Sequence, residues 1–115
     1  MENSALNDYI KAWNTSDPIE RRSLLEESFD KQGRYVDPHI PAPVTNLDQM
    51  EEIIKTFRSR LPHKLYAVQR PELHNYAFRL KWKMEDNGTL LSKGTFVGEF
   101  NSDDKISNLI CFLDS

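Results

Sequence analysis

Apolar residues recur at helical spacing in three stretches of the first half of the chain, and at every second position in the latter half. Leu6, Tyr9, Ile10 and Trp13, with Ala5 beside them, mark one face of a first helix over residues 2–15. Asp17-Pro18-Ile19-Glu20 then reads as a helix start. Asp17 can cap, Pro18 suits the first helical position, and Glu20 can reach back to the cap. Leu24, Leu25, Ser28 and Phe29 carry the inner stripe of that second helix, and Gly33 is its predicted stop. Pro38, Pro41 and Pro43 exclude a helix in the next segment, so residues 34–38 are predicted to be short and extended. A third helix starts at Asn46-Leu47-Asp48-Gln49, carries Leu47, Met50, Ile54, Phe57 and Leu61, and ends at Pro62.

From Lys64 onward the period is two. His74, Tyr76, Phe78, Leu80, Trp82 and Met84 alternate with Asn75, Ala77, Arg79, Lys81 and Lys83, which predicts one long strand. Asp86-Asn87-Gly88 predicts a hairpin, because Asn-Gly supplies the positive φ of a tight turn. Residues 89–100 form the return strand, Ser102-Asp103-Asp104 a second turn, and residues 106–113 a final strand; another strand precedes them at about 64–71. Helices followed by strands imply an α+β architecture with an antiparallel sheet.

Composition narrows the classes. A chain of 115 residues fits one domain, taken here as 1–115. Fifteen Lys and Arg are scattered among 18 Asp and Glu, for a net charge of -3, so the basic footprint that nucleic acid requires is missing. The single cysteine, Cys111, allows no internal disulfide, which suits a reducing compartment. The polar N-terminus resembles no signal peptide, and no stretch approaches the roughly 20 apolar residues of a membrane span. A cytoplasmic protein, without nucleic-acid or membrane partners, is the expectation. His39, His63 and His74 lack metal-ligand spacing, and no phosphate loop or dinucleotide fingerprint is present; no metal and no cofactor are expected.

Trp13 on the first helix, Tyr35-Val36-Asp37-Pro38, and Arg79-Leu80-Lys81-Trp82 follow one another in a distinctive order. Gly94-Thr95-Phe96-Val97 and the run from Ile106 to Phe112 complete it. This arrangement resembles the nuclear transport factor 2-like superfamily, in particular its SnoaL-like (polyketide cyclase) and ketosteroid isomerase-like branch. The resemblance covers nearly the whole chain. It implies a cone-shaped, strongly curved antiparallel sheet wrapped around three helices from the N-terminal half, a cystatin-like roll with an interior pocket.

The resemblance also implies site residues. Asp37 falls where the isomerases carry their general base; by its own chemistry it can equally cap a turn before Pro38. His74, in the apolar phase of the long strand, is the expected acid/base partner of Asp37, unless it sits solvated on the rim. Tyr9 matches the helix-one tyrosine of the oxyanion hole, and also fits the core stripe of its helix. The second oxyanion donor of the isomerases is replaced by Phe96, which donates no hydrogen bond, so steroid isomerisation by that route is not implied. Trp13, Tyr35, Phe57, Trp82, Phe96 and Phe112 line or fill the cone, and His39 lies at its mouth. The ligand so implied is a small hydrophobic molecule. Leu91, Val97, Leu109, Cys111 and Leu113 are expected on the outer face of the sheet, where the family commonly forms homodimers. Three functions fit these residues: a small lyase or isomerase using Asp37 and His74, a non-catalytic ligand-binding protein, or a dimeric interaction module with a filled cone.

Overall fold

In the computed structural model, residues 4–60 and 64–114 are described. Leu61, Pro62 and His63, with their roles in ending the third helix, lie outside the described residues. Helix α1 covers Ser4–Asn14, α2 Pro18–Ser28 and α3 Leu47–Arg60. The strands are β1 Phe29–Val36, β2 Lys64–Ala67, β3 Glu72–His74, β4 Ala77–Asp86, β5 Thr89–Phe100 and β6 Ile106–Leu113. The sheet runs β1-β6-β5-β4-β2, with β3 paired to β4. All pairings are antiparallel except β1 with β6, which is parallel and makes the sheet mixed. The architecture is the expected α+β roll, with the helices laid into a sheet that does not close into a barrel.

The helix starts follow the local chemistry. Asp17 Oδ1 accepts from Ile19 N at 3.2 Å with Pro18 in the first turn, and Asn46 Oδ1 accepts from Gln49 N at 2.8 Å. Gly33 does not end α2. That helix stops at Ser28, because Phe29 already pairs with Ile106 in the sheet. Gly33 lies within β1 at a register irregularity between Phe29 and Arg34, where a Cβ would collide with the Phe29 ring.

Strand parity decides which side chains face the helices. On β4 the inner residues are Phe78, Leu80 and Trp82, all buried; opposite them on β5 stand Gly98, Phe96 and Gly94. The Phe78 and Trp82 rings lie over the two glycines, where a Cβ would strike ring atoms and the carbonyl oxygens of Asn108 and Phe112. On β6 the inner residues are Ile106, Leu109 and Cys111. This corrects the expected phase. Cys111 pairs with the inward Phe96, while Phe112 pairs with Thr95 and is 54 % exposed. A slip of one residue exchanges the two faces of a strand. Leu109 and Cys111 therefore belong to the core, and Phe112 to the outside.

Candidate functional site

The C-terminal end of α1 is tied down from several sides. Arg21, 6 % exposed, donates from Nε and Nη2 to Thr15 O at 3.1 and 2.9 Å, and Arg58 Nη1 donates to Trp13 O at 2.9 Å. Asn14 exchanges two hydrogen bonds with the backbone of Leu65 on β2, at 2.9 and 2.7 Å. Cationic donors at the last carbonyls suit the negative end of the helix dipole. Their consequence for the site is that Trp13 is held against Tyr35 and Phe57, with ring centroids 6.4 and 5.6 Å apart.

Beside Trp13 lies a cavity of about 260 Å³. Of the residues expected there, Trp13, Tyr35, Asp37, His39, Phe57, Trp82 and Phe96 line it. Tyr9 is fully buried behind that wall, edge-on to Phe96 at 5.6 Å and to Trp13 at 6.4 Å. Leu91 and Leu113, both 42 % exposed, mark its open end together with Ser92 and Met84. The lining is mostly apolar, with Asp37 as its buried carboxyl group.

Asp37 is built into the loop that follows β1. Tyr35 and Val44 exchange two backbone hydrogen bonds of 2.9 Å, which close the loop between them. Inside it, Asp37 Oδ1 accepts from His39 N at 2.8 Å and Asp37 O accepts from Ile40 N at 3.2 Å. The carboxylate thus caps its own turn and also lines the cavity. Its Oδ2 accepts from the Tyr35 hydroxyl at 2.5 Å, and its Oδ1 meets His39 Nδ1 at 2.9 Å. A carboxylate only accepts, so Nδ1 is the donor and Nε2 of a neutral His39 carries the lone pair. The His39 side chain is half exposed and packs edge-on against Phe57 at 5.7 Å.

His74 is not part of this site. A two-residue turn at Asn75 and Tyr76, both with positive φ, separates β3 from β4. His74 pairs with Ala77, on the face opposite Phe78 and Trp82. It is exposed, among Leu73, Tyr76, Phe100 and Asp104. A turn of two residues joins positions of opposite parity, so the even-numbered alternation does not carry through it. The imidazole partner of Asp37 is His39 instead. Phe112 is likewise absent from the lining.

The wall also contains residues that the sequence pattern placed elsewhere or passed over: Leu65, Met84, Ser92 and Cys111. Correct pairing parity from Phe96 would have turned Cys111 inward. Burial, then the neighbouring Asp37 charge, pushes the Cys111 thiol up to about 12, which leaves it a poor nucleophile at neutral pH. Burial raises both the Tyr9 and Tyr35 phenols well above their ordinary value, so both stay protonated. The Tyr9 hydroxyl lies near the Trp13 indole and the Tyr35 phenol without completing a hydrogen bond to either. Trp13 Nε1 and Trp82 Nε1 are also buried without acceptors. Among the described residues no group of three or more His, Cys, Asp or Glu is placed to hold a metal ion, and no helix is long and apolar enough to cross a membrane.

No protein-family model matches the chain, and no curated protein matches it in sequence. Solved structures match over almost its full length. A SnoaL-like family protein from Agrobacterium tumefaciens str. C58, provisionally named an isomerase, superposes with a TM-score of 0.88 over 96% of this chain and 95% of that one, at 26% identity. A nuclear transport factor 2-like protein of unknown function from Exiguobacterium sp. 255-15 superposes with a TM-score of 0.76 at 16% identity, covering 96% of this chain and 98% of that one. A provisionally named polyketide cyclase from Sinorhizobium meliloti gives 0.73 at 13% identity, over 94% and 93%. The last two share the fold. A cavity enclosed between helices and a curved mixed sheet thus defines the class first, that of small α+β rolls. Within that class, the chain is similar in structure to proteins of the nuclear transport factor 2-like/SnoaL-like superfamily.

Proposed function

We propose that the cavity binds a small, largely apolar molecule and that Asp37, with His39, moves a proton on it, as a small isomerase or lyase would. The observation that carries this reading is the Asp37 carboxylate, buried in an apolar wall and held by Tyr35 Oη at 2.5 Å and His39 Nδ1 at 2.9 Å. A positioned carboxylate can take a proton from a carbon next to a carbonyl and return it to another carbon. His39, whose ring reaches the half-exposed rim, can carry a proton between that carboxylate and solvent. The name of the Agrobacterium protein, an isomerase, agrees with this direction.

The test uses two probes. Naphthol binding is read by quenching of tryptophan fluorescence, and deuterium uptake next to the carbonyl of a small cyclic enone in D₂O is read by NMR. Wild type binds naphthol and accelerates uptake; Asp37→Asn keeps naphthol binding and loses roughly 10²–10⁴-fold of the uptake rate. Binding without uptake in wild type identifies a non-catalytic ligand-binding protein. Absence of both sinks the reading.

A homodimer in the cytoplasm remains part of the proposal, with a revised surface. Phe112, with Val97 and Ile110, takes the place of Leu109, Cys111 and Leu113 on the outer face, since Leu113 pairs with Gly94 and lines the cavity. Phe112→Glu converts such a dimer to a monomer in analytical ultracentrifugation, and a wild type that sediments as a monomer at micromolar concentration removes the dimer.

A further inference from the structure

A second space adjoins the cavity. A groove of about 580 Å³ runs along α3, and it shares His39 and Phe57 with the cavity wall. Ile53 and Thr56 line it from α3, and Ile40 from the loop after Asp37. Ile40, Ile53 and Phe57 are only half-buried, although they pack against the core. The helix buries Leu47, Met50 and Ile54 on its inner stripe and leaves Ile53 and Phe57 as an apolar second stripe. The two rings that both spaces share stand edge-on to each other, with centroids 5.7 Å apart.

We infer that this groove receives an aliphatic arm of the molecule whose head occupies the cavity, so that the ligand is a compact ring system carrying an unbranched alkyl chain. Size supports this. Sites for drug-sized ligands run to roughly 300–1,000 Å³. The cavity, at about 260 Å³, falls below that range, and the adjoining groove, at about 580 Å³, falls within it. Chemistry supports it too. Ile40, Ile53 and Phe57 give the groove an apolar strip that matches methylenes, with Glu52, Thr56 and Arg60 completing its lining. Its reach along α3, from Ile53 to Arg60, is about 10 Å at the helical rise, enough for an extended heptyl chain. The inference rests on the cavity reading above, since the head is the group placed beside Asp37.

The test is a series of para-alkylphenols, from methyl through butyl to heptyl, titrated against the full chain by tryptophan fluorescence. Wild type gains roughly two- to fourfold in affinity per added methylene. Ile53→Asp flattens the series while leaving the methyl member unchanged. Should Ile53→Asp fail to fold, Thr56→Trp at an exposed position fills the groove and flattens the series equally. A wild-type series that stays flat while the methyl member binds overturns the groove and leaves the cavity reading standing. A slope that survives both variants also overturns it, since the arm then lies elsewhere. Failure of every member to bind overturns the cavity reading and this inference with it.

Discussion

Replacing Tyr35 by Phe removes one hydroxyl and leaves the ring, so its effect isolates the bond to Asp37. The Tyr35 hydroxyl donates to Asp37 Oδ2 at 2.5 Å, and both side chains are buried. Among the described residues Oδ2 has no second donor, whereas Oδ1 keeps both His39 bonds. A hydrogen bond to a charged group contributes about 1.5–3 kcal/mol, and a buried acceptor left without a donor loses its water as well. We therefore expect Tyr35→Phe to lose about 2 kcal/mol, a fall of roughly 6–12 °C in Tm for a chain of this size. Urea unfolding followed by the fluorescence of Trp13 and Trp82 measures it. Asp37→Leu strands the Tyr35 hydroxyl and the His39 N–H together, so it costs at least as much. In the double variant the hydroxyl and its acceptor are both gone. Its loss should fall short of the sum of the single losses by about 1 kcal/mol or more. A Tyr35→Phe protein within about 0.5 kcal/mol of wild type, or an additive cycle, would refute the account of a carboxylate held by the phenol.

Gly94→Ala should destabilise by about 3 kcal/mol, the upper range for overpacking, because a Cβ there meets the Phe112 carbonyl oxygen and the Trp82 ring; equal stability in urea would show that β5 and β6 can separate at no cost. Cys111 predicts an alkaline weakness. Its thiol holds a proton to about 12 in the folded chain against an ordinary 9.0, so between those values the folded state binds more protons than the unfolded one. Stability is complete below 9 and falls as pH rises, by about 1 kcal/mol at pH 10 relative to pH 8. Tyr9 and Tyr35, also raised, add to the fall at higher pH. Cys111→Ala should reduce the pH 8-to-10 difference in urea midpoints, and an unchanged difference would assign the weakness elsewhere. Native Cys111 should also resist iodoacetamide at pH 8 and react once unfolded.

The order of elements was legible because amphipathic spacing and capping residues are local. Asp17-Pro18, Asn46 and Asn87-Gly88 each satisfy backbone groups within a few residues, and each marks a boundary in the structure. Where pairing partners lie far apart in the chain, the pattern misled. Asn75-Tyr76 contains no glycine, so the turn was hidden inside an unbroken alternation, and His74 was carried onto the wrong face. The irregularity between Glu99 and Phe100 shifts the register of β6 in the same way, which exchanged Phe112 for Cys111. The parallel partner of β1 depends on contacts between Arg34–Val36 and Asn108–Ile110, which no local signal announces.

These two kinds of signal meet at Asp37. Tyr35, Asp37 and His39 follow at steps of two, and all three line the cavity. A distant partner such as His74 was unnecessary, because the loop that Asp37 caps brings the His39 ring back to the same carboxylate. The local turn and the buried site are therefore one object, and this sets how its chemistry can be separated from its architecture. Asp37→Ala would remove the cap, the phenol's acceptor and the proposed acid/base group together. Asp37→Asn keeps an Oδ1 to accept from His39 N while removing the negative charge. Tyr35→Phe removes one donor and leaves the turn intact. A loss of turnover in the Asn variant with the loop preserved would thus belong to the carboxylate, whereas a loss in Asp37→Ala that Asp37→Asn does not share would belong to the loop.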